Sequence, residues 1–240
     1  MSTTAFDFHD RVVLVTGVGR AGQIGNAVAQ AFGRAGARIV CCDRNAVGVA
    51  ERVKEFAAEG IEARPAAGDL TEPDVARLAV ETALKHFGRL DAVVNVAGGL
   101  TTYGPVADAT VAGFDRELAI NAKTSFLVAQ AAIEPLAASH GSIVNFASIA
   151  YYEPAAQLAV YMAAKYAVAG LTRGMAVELA SRGVRVNAIA PAMVRTVENV
   201  SAEGGDARYV EMDQITDGVL FLASDAARGL NGHILPIRAG

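Results

Sequence analysis

The chain has 240 residues, a formal charge of −4 and 52% apolar residues. That length suits one α/β domain with a large buried core, and the apolar content excludes a disordered chain. Lys and Arg are scattered, which argues against a nucleic-acid partner, and no apolar run approaches the roughly 20 residues that span a bilayer.

The stretch from Met1 to Arg11 carries Asp7 and Asp10 and no apolar segment, so it does not read as a signal peptide. Short β-branched runs then alternate with longer segments of helical spacing. Arg11–Thr16 predicts a strand and Ile24–Ala35 a helix. Ala37–Cys42 and Ala46–Glu59 form the next such pair, then Ile61–Ala67 and Glu72–Phe87, then strand Leu90–Asn95. Val111–Ala138 reads as one long helical stretch, followed by strand Ser142–Ala147. Ala155–Ser181 is helical and Val184–Ile189 a strand. A helix over Asp213–Ala223 and a short strand, His233–Ile237, close the chain. Gly36, Gly60, Gly88 and Gly183 stand where helices should stop. Thr196–Arg208, rich in Gly, Ala, Ser and charge, reads as a loop or lid.

Several strands are apolar at nearly every position, as in Val12 to Val15 and Ile39 to Cys42. Such strands are covered on both faces, and their alternation with helices predicts a parallel sheet wrapped by helices, in one domain. Cys41 and Cys42 are the only cysteines and neighbours in a strand, so they point to opposite faces and are not expected to bond. Two buried free thiols fit a reducing, cytoplasmic setting. His9, His86, His140 and His233 lack metal-ligand spacing and read as surface residues, so no metal is expected.

The first strand runs into Thr16-Gly17-Val18-Gly19-Arg20-Ala21-Gly22-Gln23-Ile24-Gly25, and a helix follows. Glycines let the backbone approach a pyrophosphate, and a helix N-terminus supplies aimed N–H groups. Asp43 ends the second strand 18 residues after Gly25. A carboxylate there can accept hydrogen bonds from an adenosine ribose and repel a 2′-phosphate. Arg20 and Arg44 oppose this reading, because either could offer a guanidinium to such a phosphate. NAD is therefore expected over NADP.

Tyr161 and Lys165 lie four apart in a predicted helix, hence on one face. A nearby ammonium favours a phenolate, which suits general acid–base work. Tyr-x-x-x-Lys alone is common and usually inert.

Thr16–Gly25, Asn95 to Gly98, Asn121, Ser148, Tyr161-x-x-x-Lys165 and Pro191 to Thr196 follow one another in an order that resembles the short-chain dehydrogenase/reductase family, in its single-domain branch. The resemblance covers nearly the whole chain from Arg11. It implies a Rossmann-type doubly wound sheet of seven parallel strands in the order 3-2-1-4-5-6-7, helices on both faces and a homotetramer. It implies that Tyr161 exchanges a proton with the substrate oxygen, that Ser148 places that oxygen, and that Lys165 holds the nicotinamide ribose and lowers the Tyr161 pKa. Asn121 would distort its helix and seat a water linking Lys165 to solvent. Gly17, Gln23, Ile24 and Gly25 would face the pyrophosphate, with Arg20 in the same loop. Asp69 and Leu70 would flank the adenine, and Asn95, Ala97 and Gly98 would shape the cofactor floor. Val194 and Thr196, after Pro191, would hold the carboxamide.

The sequence departs from the family pattern in its glycine loop. Two extra residues lie between Gly17 and Gly25, and Gln23 takes the middle glycine's place. Enoyl-thioester reductases of the family also have a longer loop, but six residues separate their Tyr and Lys. Here three do, and Ser148 is present. Ala192 replaces the usual glycine after the proline, and the segment after Thr196 is short.

The expected activity is hydride transfer between NAD(H) and a small secondary alcohol or ketone. A second reading is a 3-ketoacyl-carrier-protein reductase using NADPH. Against it, no Lys or Arg lies between Lys123 and His140, and Val177 stands where an arginine is common. A third is a non-catalytic nucleotide-binding scaffold, which would have no need of Asn121, Ser148, Tyr161 and Lys165 together.

Overall fold

The computed structural model describes residues 6–240, so Met1–Ala5 of the N-terminal segment read above lie outside the described residues. Seven parallel strands form one sheet: β1 (Val12–Thr16), β2 (Arg38–Asp43), β3 (Ala63–Ala67), β4 (Ala92–Asn95), β5 (Ser142–Phe146), β6 (Arg185–Pro191) and β7 (Ile234–Ile237). Their order is β3-β2-β1-β4-β5-β6-β7. The order reverses between β1 and β4, and a crevice opens there at the carboxyl ends of the strands.

The strands are apolar throughout because both faces are covered. Val13 and Val15 pack into one core with α1 (Ile24–Arg34), α2 (Ala46–Ala58) and α8 (Met212–Ala223). Val12 and Leu14 pack into the other with α3 (Pro73–Phe87), α5 (Thr124–Ser139) and α6 (Ala159–Leu179). Cys41 and Cys42 divide the same way, one to each core. Burial pushes both thiols up to about 12, so they stay protonated and inert.

Gly36, Gly60, Gly88 and Gly183 all have positive φ, as helix stops require. Three elements differ from expectation. The stretch 111–138 is not one uniform helix. A π-turn, Ala119–Lys123, separates α4 (Val111–Leu118) from α5. Hydroxyls compete for its carbonyls: Thr124 donates to Ile120 O (2.8 Å) and Ser125 to Asn121 O (2.9 Å). The helix expected from Ala155 begins at Ala159, because Gln157 takes a left-handed φ of 65°. The segment 196–208 is not all loop. Thr196 caps a short helix, α7 (Val197–Glu203), by accepting the Asn199 N–H, and Gly204 at φ 85° ends it. All four histidines are exposed, and no His/Cys/Asp/Glu cluster among the described residues could hold a metal.

Candidate active site

The crevice is lined first by backbone. Gly17 takes φ 77°, and its N–H and that of Val18 both donate to Cys42 O. A Cβ on Gly25 would lie 2.2 Å from Gly17 O, so only glycine lets α1 begin this close to the loop. Gln23 and Ile24 form the entry to α1, which has no side-chain cap and no acid in its first turn. Its leading N–H groups are left for an external acceptor.

Asp43 ends β2 with its carboxylate held in place. One oxygen accepts Gly19 N–H (3.0 Å) and the other Asn45 N–H (2.9 Å). The longer loop thus leans onto Asp43. Arg20 turns away and pairs with Glu198 of α7, while a Cβ on Gly22 would lie 2.7 Å from Val197 Cγ2. Loop and α7 therefore touch across the mouth of the crevice.

Asp69 is exposed, and hydrogen bonds from the Thr71 N–H and hydroxyl hold its carboxyl below the usual range. The charge of Arg44 adds to this. Leu70 is buried in the core below Asp69. Asn95 is buried and donates to Asn145 Oδ1 (2.9 Å). Ala97 N–H donates to Thr16 Oγ1 (2.9 Å). Gly98 has φ 144°, and a Cβ on it would lie 2.5 Å from Asn121 Oδ1. Pro191 ends β6, while Val194 and Thr196 are buried beneath the start of α7.

Ser148 follows β5, and Tyr161 lies in the first turn of α6. The Ser148 side chain acts on the Tyr161 phenol and pulls its pKa down against the effect of burial. Lys165 is one turn further on and buried. Its Nζ donates to Phe146 O (2.9 Å) and lies 5.7 Å from the centre of the Tyr161 ring. Burial lowers its pKa to about 8, against the negative charge of Glu117. For Tyr161, burial pushes the pKa up, the Ser148 hydrogen bond opposes it, and Glu117 pushes it further up. The Lys165 ammonium is aimed at a backbone carbonyl, Phe146 O.

Asn121 sits in the π-turn. Its side chain donates to Gly99 O (2.9 Å) and accepts Gly99 N–H (3.0 Å), pinning the loop after β4. Sequence reasoning missed Glu117, the one buried side chain of α4, which accepts from Asn121 and Thr101. It also missed Glu198 as the partner of Arg20. Neither carried a signal, because Glu117 looks like an ordinary charge on a helix and Glu198 like one in a loop. Two other cavities, one by Asp91 and Arg185 at the opposite end of the sheet and one between α3 and α5, touch none of the catalytic or cofactor-binding residues expected from the sequence.

A family model described as enoyl-(acyl carrier protein) reductase matches residues 17–240. D-threitol dehydrogenase of Mycolicibacterium smegmatis is 36% identical, over 98% of this chain and 95% of that protein. 2-(S)-Hydroxypropyl-CoM dehydrogenase 3 of Xanthobacter autotrophicus is 34% identical, over 96% of each chain. Among solved structures, 7α-hydroxysteroid dehydrogenase complexed with NADH and 7-oxo glycochenodeoxycholic acid superposes with a TM-score of 0.91, at 27% identity over 100% of this chain and 97% of that one. A short-chain type dehydrogenase/reductase from Mycobacterium ulcerans gives 0.92, at 31% identity over 98% and 90%. The chain belongs to the short-chain dehydrogenase/reductase family, oxidoreductases acting on CH–OH and C=O groups.

Proposed function

We propose that this protein is an NAD(H)-dependent dehydrogenase of small secondary alcohols, acting equally as a ketone reductase, with Tyr161 as its acid/base. The observation that carries the reading is the convergence of Ser148 and Tyr161 over a buried Lys165, whose Nζ is tied to Phe146 O at the end of β5. Relatives named as dehydrogenases of a polyol and of a hydroxypropyl group support it.

The crevice fits a dinucleotide, since Gly17 and Gly25 leave a cradle that a Cβ would fill and α1 starts uncapped. Gly17, Gln23, Ile24 and Gly25 would hold the pyrophosphate, and Asp43 the adenosine ribose. Asp69 and Leu70 would border the adenine, with Asn95, Ala97 and Gly98 beneath. Tyr161 and Lys165 would hold the second ribose, and Pro191, Val194 and Thr196 the carboxamide. When bound, the nicotinamide supplies a hydride acceptor or donor. Ser148 then donates to the substrate oxygen, and Tyr161 gives it a proton in ketone reduction or takes one in alcohol oxidation. Because burial raises the phenol's pKa, Tyr161 keeps its proton at neutral pH. Reduction is favoured there, and oxidation speeds up as pH rises.

NAD rather than NADP is supported by Asp43 at the ribose position and by Arg20, whose guanidinium is engaged by Glu198. A carrier-protein substrate is disfavoured: Val177 is 81% exposed where an arginine would grip an acidic carrier, and Glu134 on α5 adds negative charge. α7 serves as a short lid over a single catalytic domain. Exposed Val111, Phe114, Phe126 and Val177 on α4, α5 and α6 offer apolar surface for a homotetramer. Two buried free thiols fit a cytoplasmic setting, and among the described residues no helix is long and apolar enough to cross a membrane.

The test is a panel of small secondary alcohols and ketones, followed by absorbance of the reduced cofactor, with NAD and NADP, on wild type and Asp43→Ala. Turnover with NAD is expected, and Asp43→Ala should narrow the NAD preference. No turnover across the panel would end the alcohol reading. Preference for NADP in wild type, or an unchanged ratio in Asp43→Ala, would remove Asp43 as selector.

A further inference from the structure

α4 presents mostly exposed side chains, and its one buried residue is a carboxylate, Glu117. Burying a carboxylate is unfavourable unless it is fully hydrogen-bonded or paired. Glu117 is met by two kinds of partner. Oε2 accepts the Thr101 N–H (2.9 Å) and hydroxyl (2.5 Å), and Oε1 accepts from Asn121 Nδ2 (3.2 Å). Thr101 belongs to the loop 96–105, which leaves the end of β4 and pairs through Gly104 N–H with Gln157 O, just before α6. That loop follows β4 at the carboxyl end of the sheet and is pinned by Asn121 at Gly99. Glu117 therefore ties the loop to the π-turn that carries Asn121.

The second kind of partner is charge. Lys165 is buried with one fixed acceptor, a backbone carbonyl. Tyr161 and Lys165 lie four apart on α6, against which α4 packs, and the Glu117 charge acts on both. A hydrophobic residue at 117 would fill the same space without either effect.

We propose that Glu117 is a positioning residue of this site, which fixes the 96–105 loop through Thr101 and the π-turn through Asn121, and places a buried carboxylate on the helix packed against α6, whose charge acts on Tyr161 and Lys165. The inference rests on the reading of Tyr161 as acid/base. Its negative charge favours the ammonium and disfavours the phenolate, so both groups titrate higher with it than without it. Removing the charge moves both titrations to lower pH.

The experiment compares wild type, Glu117→Gln, Glu117→Asp and Thr101→Val. In alcohol oxidation, kcat/KM depends on the protonation of both Tyr161 and Lys165, so both limbs of its pH profile follow these two titrations. Glu117→Gln should shift both limbs to lower pH, while Glu117→Asp, which keeps the charge, leaves them in place. Thr101→Val should raise KM severalfold with both limbs unmoved. A second readout needs no substrate: the ultraviolet titration of Tyr161, taken as the difference from the matching Tyr161→Phe protein, should fall to lower pH in Glu117→Gln. If the panel of alcohols gives no turnover, the acid/base reading fails, and this titration still tests Glu117 by itself. Limbs and phenol titration unmoved in Glu117→Gln, or moved equally in Glu117→Asp, would overturn the assignment. So would a Glu117→Gln chain that does not fold beside a folded Glu117→Asp, since the carboxylate would then be a folding requirement.

Discussion

The two ends of the crevice are built differently. Around Tyr161, the polar groups are buried and hydrogen-bonded: Asn121 and Glu117 to each other and to the loop after β4, Lys165 to Phe146 O, and Ser148 to Ala150 N–H. At the glycine loop, the cross-contacts are surface ones. Arg20 and Glu198 are each 58% exposed, and Gly22 abuts Val197 at the rim. A buried network admits few alternative arrangements, because every unmet partner is costly. An exposed ion pair contributes little and tolerates rearrangement. The two extra residues of the glycine loop lie at the end whose contacts are exposed.

The largest expected effect breaks the buried end. Tyr161→Phe keeps the ring against Lys165 and removes the exchangeable proton. Turnover should drop by about 10²–10⁴-fold, with cofactor affinity nearly unchanged by fluorescence titration. A Phe variant that keeps wild-type turnover would remove Tyr161 from the chemistry.

Next comes Lys165→Met, where function and stability part. The fall from the ordinary lysine value of 10.5 to about 8 corresponds to about 3 kcal/mol of native-state destabilisation at neutral pH. The sign follows from proton counts. Between about pH 8 and 10.5 the unfolded chain binds more protons at this site than the folded one, so wild-type stability relative to Met rises with pH across that window. Below pH 8 the penalty is complete. Lys165→Met should lose turnover yet melt higher at pH 7, by less than the full figure because Phe146 O loses its donor. A lower melting temperature at pH 7 would show that the ammonium is a net stabiliser.

Gly25→Ala acts on the join between α1 and the loop. The added methyl meets Gly17 O and Thr16 O, both backbone, so α1 must move. A loss of about 1–3 kcal/mol is expected from such overpacking, read by urea denaturation, together with weakened cofactor binding. Unchanged stability and binding would mean that the loop yields freely.

These sites were not equally legible in the sequence. The sheet was, because Val12 to Val15 are apolar at consecutive positions and only a doubly covered strand explains that. The spacing of Tyr161 and Lys165 puts both on one helix face, and Ser148 is singled out only through the family resemblance; the fold then brings β5 against α6. Glu117 was not. In Phe114-Asp115-Arg116-Glu117 it reads as one more solvated charge, and only the fold turns it inward while its neighbours stay exposed. The π-turn was hidden because Thr124 and Ser125 look like ordinary helix residues until their hydroxyls bond backward. α7 was hidden by the Gly, Ala and Ser around it, since its cap lies in the conformation of Thr196 and not in any apolar period.

The smallest expected effect tests the exposed end. Glu198 lies 178 residues from Arg20 in the chain, and the two meet only because α7 folds back over the loop. With both side chains exposed, the pair contributes about 0–1 kcal/mol, so Glu198→Gln should scarcely change the melting temperature. It should change what Arg20 can do. Freed from Glu198, the guanidinium can swing toward the end of β2, where a 2′-phosphate would lie beside Asp43. Arg is suited to that because its fork can bind phosphate bidentately. Asp43 stays in place, held by Gly19 and Asn45 N–H groups, and continues to repel a phosphate. The two effects oppose each other, so the NAD to NADP affinity ratio should fall severalfold without inverting, and the change should shrink with added salt as exposed charges are screened. The measurement is titration of both cofactors into wild type and Glu198→Gln at low and high ionic strength. A ratio unmoved at low salt would show that Arg20 does not reach the ribose pocket even when released, leaving Asp43 as the whole of the selection. An inverted ratio would show that Arg20 outweighs Asp43 and that the pairing with Glu198 is what makes this chain prefer NAD.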